Sequence, residues 1–166
     1  MDIFKLIADI RPLDQNALRE AELRQQNLLK PMGSLGRLED ISIQIAGITG
    51  KVKNTAEKKV LYLFGADNGV YEEGVAATPQ HFTKTLMENY ASGKHCAINV
   101  LCGHCGVELR VVDMGVKGGT AHPNIANRRL MDGTRNFRKE PAMERQTALD
   151  AMVAGFQFAK EAKEEG

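Results

Sequence analysis

The sequence predicts an α/β protein: a partial, Rossmann-like parallel-sheet domain with a helical N-terminal arm. Two observations carry that expectation. Two segments of strand length, the apolar run 60–64 and Val-Glu-Leu-Arg-Val-Val at 107–112, are separated by a stretch with helical spacing, and a strand–helix–strand crossover implies parallel strands. Ahead of them, residues 1–50 show helical spacing alone, which divides the chain into an arm at 1–50 and the N-terminal part of a sheet domain at 51–166.

The elements follow in order. Residues 2–8 give a short apolar-faced helical segment, broken at Pro12. Asp14 can cap a helix whose apolar positions are Ala17, Leu18, Ala21 and Leu28. The run 30–34 interrupts it. A further helix from about Ser34 or Leu35 sets Leu38, Ile41, Ile45 and Ile48 on one stripe, and Gly50 stops it. The polar stretch 51–58 is a solvated connection. The run 60–64 is continuous in apolar residues, as in a strand covered on both faces. Thr78 before Pro79 marks a helix start, because proline at the first helical position loses no needed hydrogen bond; that helix extends to about Tyr90 and ends at Ser92-Gly93. A second helix, about 94–104, carries Ile98, Leu101 and Cys105 on one side, and strand 107–112 leads to Asp113-Met114-Gly115. Residues 117–143 have little periodicity and many turn formers, the pattern of a functional or disordered loop. A last helix, 144–165, repeats Ala148, Met152, Phe156 and Ala159.

Composition narrows the function classes. The 22 basic and 21 acidic residues leave a net charge of +1, so no long-range field favours nucleic acid or a membrane surface. Trp is absent and aromatics are 5%, which disfavours stacking platforms for single strands. No apolar run reaches bilayer length, and the N-terminus lacks a signal-peptide layout. Three cysteines, an odd count, fit reduced thiols in the cytoplasm.

Both strands run into Asp and Gly: Asp67-Asn68-Gly69 and Asp113-Met114-Gly115. Ligands of open parallel sheets bind beyond the carboxyl ends of the strands, so two carboxylates beside glycines make a site lip. Aspartate at a strand end also simply turns the chain or caps a helix. Gln80, placed in the first turn of its helix, could donate to and accept from the nitrogen edge of a heterocycle, although an isolated surface glutamine needs no ligand. Cys102-Gly103-His104-Cys105 has thioredoxin-like spacing, but it lies at the end of a helix, where the dipole disfavours a thiolate. A zinc site would draw on Cys102, Cys105, His104 and His95 or Cys96, yet lacks a second pair at ligand spacing. Buried thiols packing a helix on the sheet are the better reading, and no metal is expected. In 117–143, six basic residues (Lys117, Arg128, Arg129, Arg135, Arg138, Lys139) face two acidic ones (Asp132, Glu140). That surplus would suit an anionic substrate, and a mobile solvated loop is the plainer reading.

Three stretches together resemble one family. Lys30-Pro31-Met32-Gly33-Ser34-Leu35-Gly36-Arg37-Leu38-Glu39 is similar to a K-P-x-G-S-L-G-x-L-E signature. Ala66-Asp67-Asn68-Gly69-Val70, then Glu73-Gly74-Val75 and Pro79-Gln80, resembles A-D-H-G-V…E-G-V…P-Q. Ile98-Asn99-Val100-Leu101 with Val111-Val112-Asp113-Met114-Gly115-Val116 resembles I-N-V-L…V-V-D-V-G-V, and Gly133-Thr134 to Phe137 with Pro141-Ala142-Met143 fits the next segment. The family is nicotinate-nucleotide:dimethylbenzimidazole phosphoribosyltransferase, of cobalamin biosynthesis. The resemblance implies transfer of phosphoribose from nicotinate mononucleotide to 5,6-dimethylbenzimidazole, giving α-ribazole 5'-phosphate and nicotinate, with no cofactor. It also implies that Gln80 contacts the base, with Asp67, Gly69 and Val70 on the same lip. Asn68 stands where the family carries His. The family's phosphate-binding loops and catalytic carboxylate fall after residue 166, so no catalytic residue is assigned, and 1–166 alone is expected to be inactive. Full-length members are expected to be homodimers, and a complementary C-terminal half is an expected partner. Alternatives from other classes are a thiol–disulfide oxidoreductase using Cys102 and Cys105, and a benzimidazole-binding module without turnover.

Overall fold

The structure, a computed structural model, describes residues 3–94 and 96–165. Asp2, counted in the first helical segment, and His95, weighed as a zinc ligand, lie outside the described residues. The chain forms two compact units, one of Phe4–Glu57 and the other from Lys58 onward.

The first unit is helical. Helix α1 (Ile3–Ala8) leads to α2 (Gln15–Gln26) and α3 (Arg37–Thr49). The Asp14 carboxylate accepts from Asn16 N at 2.9 Å and Ala17 N at 3.0 Å, the expected cap, which contributes about 1 kcal/mol. Gly50 ends α3 in the left-handed conformation (φ 68°). α2 stops at Gln26, ahead of Leu28. α3 starts at Arg37, later than the sequence suggests, after its own N-terminal brace: Glu39 accepts from Leu35 N at 3.0 Å and from Lys30 Nζ at 2.8 Å. Lys30, then the Leu35 amide, hold the Glu39 carboxyl below its ordinary range. The buried face of this unit is made of small residues: Ala17, Ala21, Ala46 and Gly47. A Cβ on Gly47 would come within 2.6 Å of Leu18 Cδ2, so the helices approach closely there. The Leu38, Ile41, Ile45 and Ile48 stripe is exposed. Periodicity located the stripe; it could not tell which helical face this chain covers.

The second unit is a three-stranded parallel sheet, order β1-β2-β3, with β1 Val60–Ala66, β2 Glu108–Gly115 and β3 Ile125–Asn127. The predicted α/β class and parallel strands are therefore observed. β3 went unread within the long loop. Helices α4 (Phe82–Ala91) and α5 (Ala97–Cys105) connect β1 to β2, and α6 (Arg145–Glu165) follows β3. Met87, Val111, Val116 and Ile125 form a core cluster, with Leu63, Tyr90 and Leu109 against it. α4 begins three residues after Pro79, whose carbonyl accepts from Phe82 N at 3.0 Å; Pro79-Gln80 forms a turn ahead of the helix rather than its first turn. On α5 the buried residue is Cys102, while Leu101 and Cys105 are exposed. α6 buries Ala154 and Phe158 and exposes Met152 and Phe156, so its inner face is rotated from the stripe read in sequence.

Candidate active site at the strand ends

β1 delivers Asp67 to the carboxyl edge of the sheet, where it is 6% exposed. One carboxylate oxygen accepts from Thr83 Oγ1 at 2.7 Å and the other from Lys117 N at 2.8 Å. Asp67 thus ties the start of α4 to the chain leaving β2. Asp113 behaves differently. It lies inside β2, fully buried, and accepts from Gly115 N (3.0 Å), Val116 N (2.8 Å), Thr120 N (3.1 Å) and Thr120 Oγ1 (3.0 Å). Four donors saturate it, so Asp113 turns the chain and is not a second carboxylate on the lip.

Between the end of β1 and α4 lies a cavity of about 460 Å³. Asp67, Asn68, Val70 and Gln80 line it, together with apolar Val75, Phe82 and Leu86. Gln80 also borders a smaller polar pocket of about 220 Å³ shared with Gly69, Glu72 and Lys117. The structure therefore brings Asp67, Val70 and Gln80 to one cavity and sets Gly69 on the neighbouring one. Tyr71 and Thr83 also line the larger cavity. The sequence reading passed over both; Thr83, three residues beyond Gln80, was the readable signal, as a hydroxyl able to reach a strand-end aspartate.

Gly69 has a further constraint. A Cβ there would lie 2.5 Å from the Thr134 carbonyl oxygen and 2.6 Å from Asn136 N, both backbone atoms that a side chain cannot displace cheaply. The segment 134–139 is pressed against the loop after β1. Thr134 N donates to the Asp67 carbonyl at 2.9 Å, and Gly69 N donates to Thr134 Oγ1 at 3.2 Å. Buried Asn136 donates to Glu73 at 2.7 Å, Arg138 pairs with Glu73 at 2.6 Å, and Lys139 pairs with Glu72 at 3.1 Å. Lys139 holds the Glu72 carboxyl below its ordinary range, and Glu72 raises Lys139 in return. Arg129 pairs with Asp132, and Arg135 with Glu144 at 2.7 Å. The loop read as mobile and solvated is thus docked. Much of its basic surplus is spent on carboxylates, several from outside the loop, that a local charge count does not see.

Cys102 is buried and Cys105 exposed on the last turn of α5, whose cap is Gly106. This is the negative pole of the helix, whereas a thioredoxin-like redox motif sits at the positive pole. Among the described residues no three His, Cys, Asp or Glu side chains are grouped to hold a metal ion, and no helix is long and apolar enough to cross a membrane.

The comparisons agree with the resemblance. A family model described as "Phosphoribosyltransferase" matches residues 10–166. The nicotinate-nucleotide–dimethylbenzimidazole phosphoribosyltransferase of Clostridium tetani is 42% identical over 168 residues, covering 99% of this chain and 46% of that protein. The same enzyme of Chloroflexus aggregans is 44% identical over 161 residues, covering 96% and 45%. A crystal structure of the Thermus thermophilus enzyme superposes with a TM-score of 0.83 at 34% identity, covering 93% of this chain and 47% of that one. The chain spans about half the length of the curated relatives it matches. With its sheet, its order of motifs and nearly all its length matched, the chain belongs to this phosphoribosyltransferase family.

Proposed function

We propose that residues 1–166 supply the acceptor-base side of an enzyme that transfers phosphoribose from nicotinate mononucleotide to 5,6-dimethylbenzimidazole, in cobalamin nucleotide-loop assembly. The observation that carries this reading is the cavity beyond β1. Its apolar wall of Val70, Val75, Phe82 and Leu86 suits a flat bicyclic ring, and the Gln80 amide offers a donor and an acceptor to the ring nitrogens.

In the reaction, an imidazole nitrogen of the base attacks the anomeric carbon opposite the departing nicotinate. The new C–N bond forms as the old one breaks, its electron pair stays on the nicotinate nitrogen, and the centre inverts. The second imidazole nitrogen gives up its proton to a carboxylate base. Asp67, with an oxygen bonded to Thr83 and the other to Lys117 N, serves better as the brace of the wall than as that base. The base and the phosphate grip are therefore expected from residues beyond this stretch, and 1–166 alone should not turn over. Three unpaired cysteines support a reducing, cytoplasmic setting. The exposed α3 stripe supports a homodimer of the full-length form.

Calorimetry of 1–166 with dimethylbenzimidazole tests the reading. Binding is expected, weakened at least about tenfold in Gln80→Ala, the loss of one to two hydrogen bonds. Absence of binding, or robust synthesis of ribazole phosphate by 1–166 alone, would overturn it.

A further inference from the structure

Gln80 is held from one side only. Residues 75–78, which lead into it, are exposed, and among the described residues they make no hydrogen bond. The Gln80 side chain makes none either. Its place on the wall of the base cavity therefore depends on the turn that follows, in which Pro79 O accepts from Phe82 N at 3.0 Å and Gln80 O from Thr83 N at 3.2 Å.

Thr83 links that turn to the sheet. It shares one face of α4 with Met87, four residues on. Met87 occupies the space left by Gly65, where a Cβ would collide with its sulfur, and Leu63 and Tyr90 pack against the same cluster. The contact between α4 and β1 is thus apolar at Met87 and Tyr90. It turns polar at Thr83, whose Oγ1 donates to Asp67 Oδ1 at 2.7 Å. Asp67 is 6% exposed, and its other oxygen accepts from Lys117 N at 2.8 Å, which keeps the carboxylate from turning away. An aliphatic side chain at 83 would fill the same space but leave one oxygen of a buried carboxylate without its donor.

We propose that Thr83 is the positioning residue of the acceptor site. By tying the first turn of α4 to Asp67, it fixes the 79–83 turn and with it the Gln80 amide on the cavity wall. Thr83 then acts on the base through Gln80: an amide displaced by about 1 Å no longer meets a ring nitrogen in a productive geometry. The identity of the ligand rests on the proposed function; the tie between Thr83, Asp67 and the turn does not.

Two measurements on residues 1–166 keep these apart. Amide exchange at Phe82 and Thr83 reads the turn without any ligand, and calorimetry with dimethylbenzimidazole reads the base site. In Thr83→Val, exchange at both amides should quicken about tenfold and binding should weaken about tenfold, the size of one hydrogen bond to a charged group. Exchange at Val111 and Val112 in β2 should not change, which reports an intact sheet. Thr83→Ser keeps the hydroxyl and should restore both readouts. The double variant Thr83→Val with Gln80→Ala should bind no more weakly than Gln80→Ala alone, whereas residues acting independently would lose a further factor of about ten. Unchanged exchange or unchanged affinity in Thr83→Val would overturn the proposal. So would that further loss in the double variant, or a Thr83→Ser chain that behaves like Thr83→Val. Absence of binding by the unsubstituted chain would instead sink the proposed function, and exchange would still decide the tie. If Thr83→Val fails to fold, Thr83→Ala, which lets water reach the carboxylate, is read by the same outcomes.

Discussion

The rim of the sheet unit and the helical arm use their residues in opposite ways. At the rim, polar groups are tied down: Asp113 takes four donors, Asp67 takes two, and Asn136 is buried against Glu73. In the arm, the inner face is Ala17, Ala21, Ala46 and Gly47, while Ile41, Ile45 and Ile48 face outward. The rim is finished by this chain; the arm presents an apolar surface that it does not itself cover. The doubly bonded Asp67 carboxylate braces the wall of the cavity beyond β1. Large aliphatics left outside suit contact with further polypeptide.

Asp113→Ala should break the rim most severely. It leaves four donors without their acceptor in a fully buried place, for an expected loss of about 3–5 kcal/mol in urea unfolding. A loss below about 1 kcal/mol would mean that water serves these donors and that the rim is not closed as described. Gly69→Ala comes next, at about 2–3 kcal/mol, because its Cβ meets the backbone of 134–136 and one of the two segments must move. The same variant should raise amide exchange at Thr134, whose N–H bonds to the Asp67 carbonyl.

The comparison also separates what was legible in the sequence from what was not. β1 was visible as a continuous apolar run, and β2 as a strand-length segment, Val-Glu-Leu-Arg-Val-Val, leading into Asp113-Met114-Gly115. β3 was not: Ile125–Asn127 is three residues long with one buried side chain, and only its register with Val111–Asp113 makes it a strand. Of the cavity residues, Asp67 could be found because ligands gather beyond strand ends, whereas Val70 and Gln80 were singled out by the family resemblance. The docking of 134–139 could not, since Glu72 and Glu73 pair with residues more than sixty positions away. Helical spacing marked apolar stripes on α3 and α6 correctly as stripes. It could not show that small residues, or the face holding Phe158, would take the inner position.

Acid sharpens the same contrast with a smaller effect. Glu72 has its carboxyl lowered from 4.5, first by the hydrogen bond from Lys139 and then by its charge. A depressed carboxyl contributes fully above its ordinary value and loses that contribution as pH falls through the lowered one. Proteolysis within 134–140 should therefore quicken as pH drops below 4.5, and less so in Glu72→Gln, where the clamp is already gone. An acid-independent rate would leave Asn136 and Thr134 as the holders of the segment.

Ile41→Ser should do least. Ile41 is 42% exposed, and isoleucine and serine differ little in helix propensity, so unfolding of the dilute chain should shift by no more than about 0.5 kcal/mol. The contrast with Asp113→Ala is the point: the apolar residue is the dispensable one and the charged residue is not. A loss of about 2 kcal/mol would mean that the stripe is covered in solution. Because coverage by a second copy depends on mass action, that loss would grow with protein concentration, whereas coverage within one chain would not. Measuring the variant at two concentrations about a hundredfold apart therefore distinguishes an open arm, a self-paired arm and an arm folded on itself.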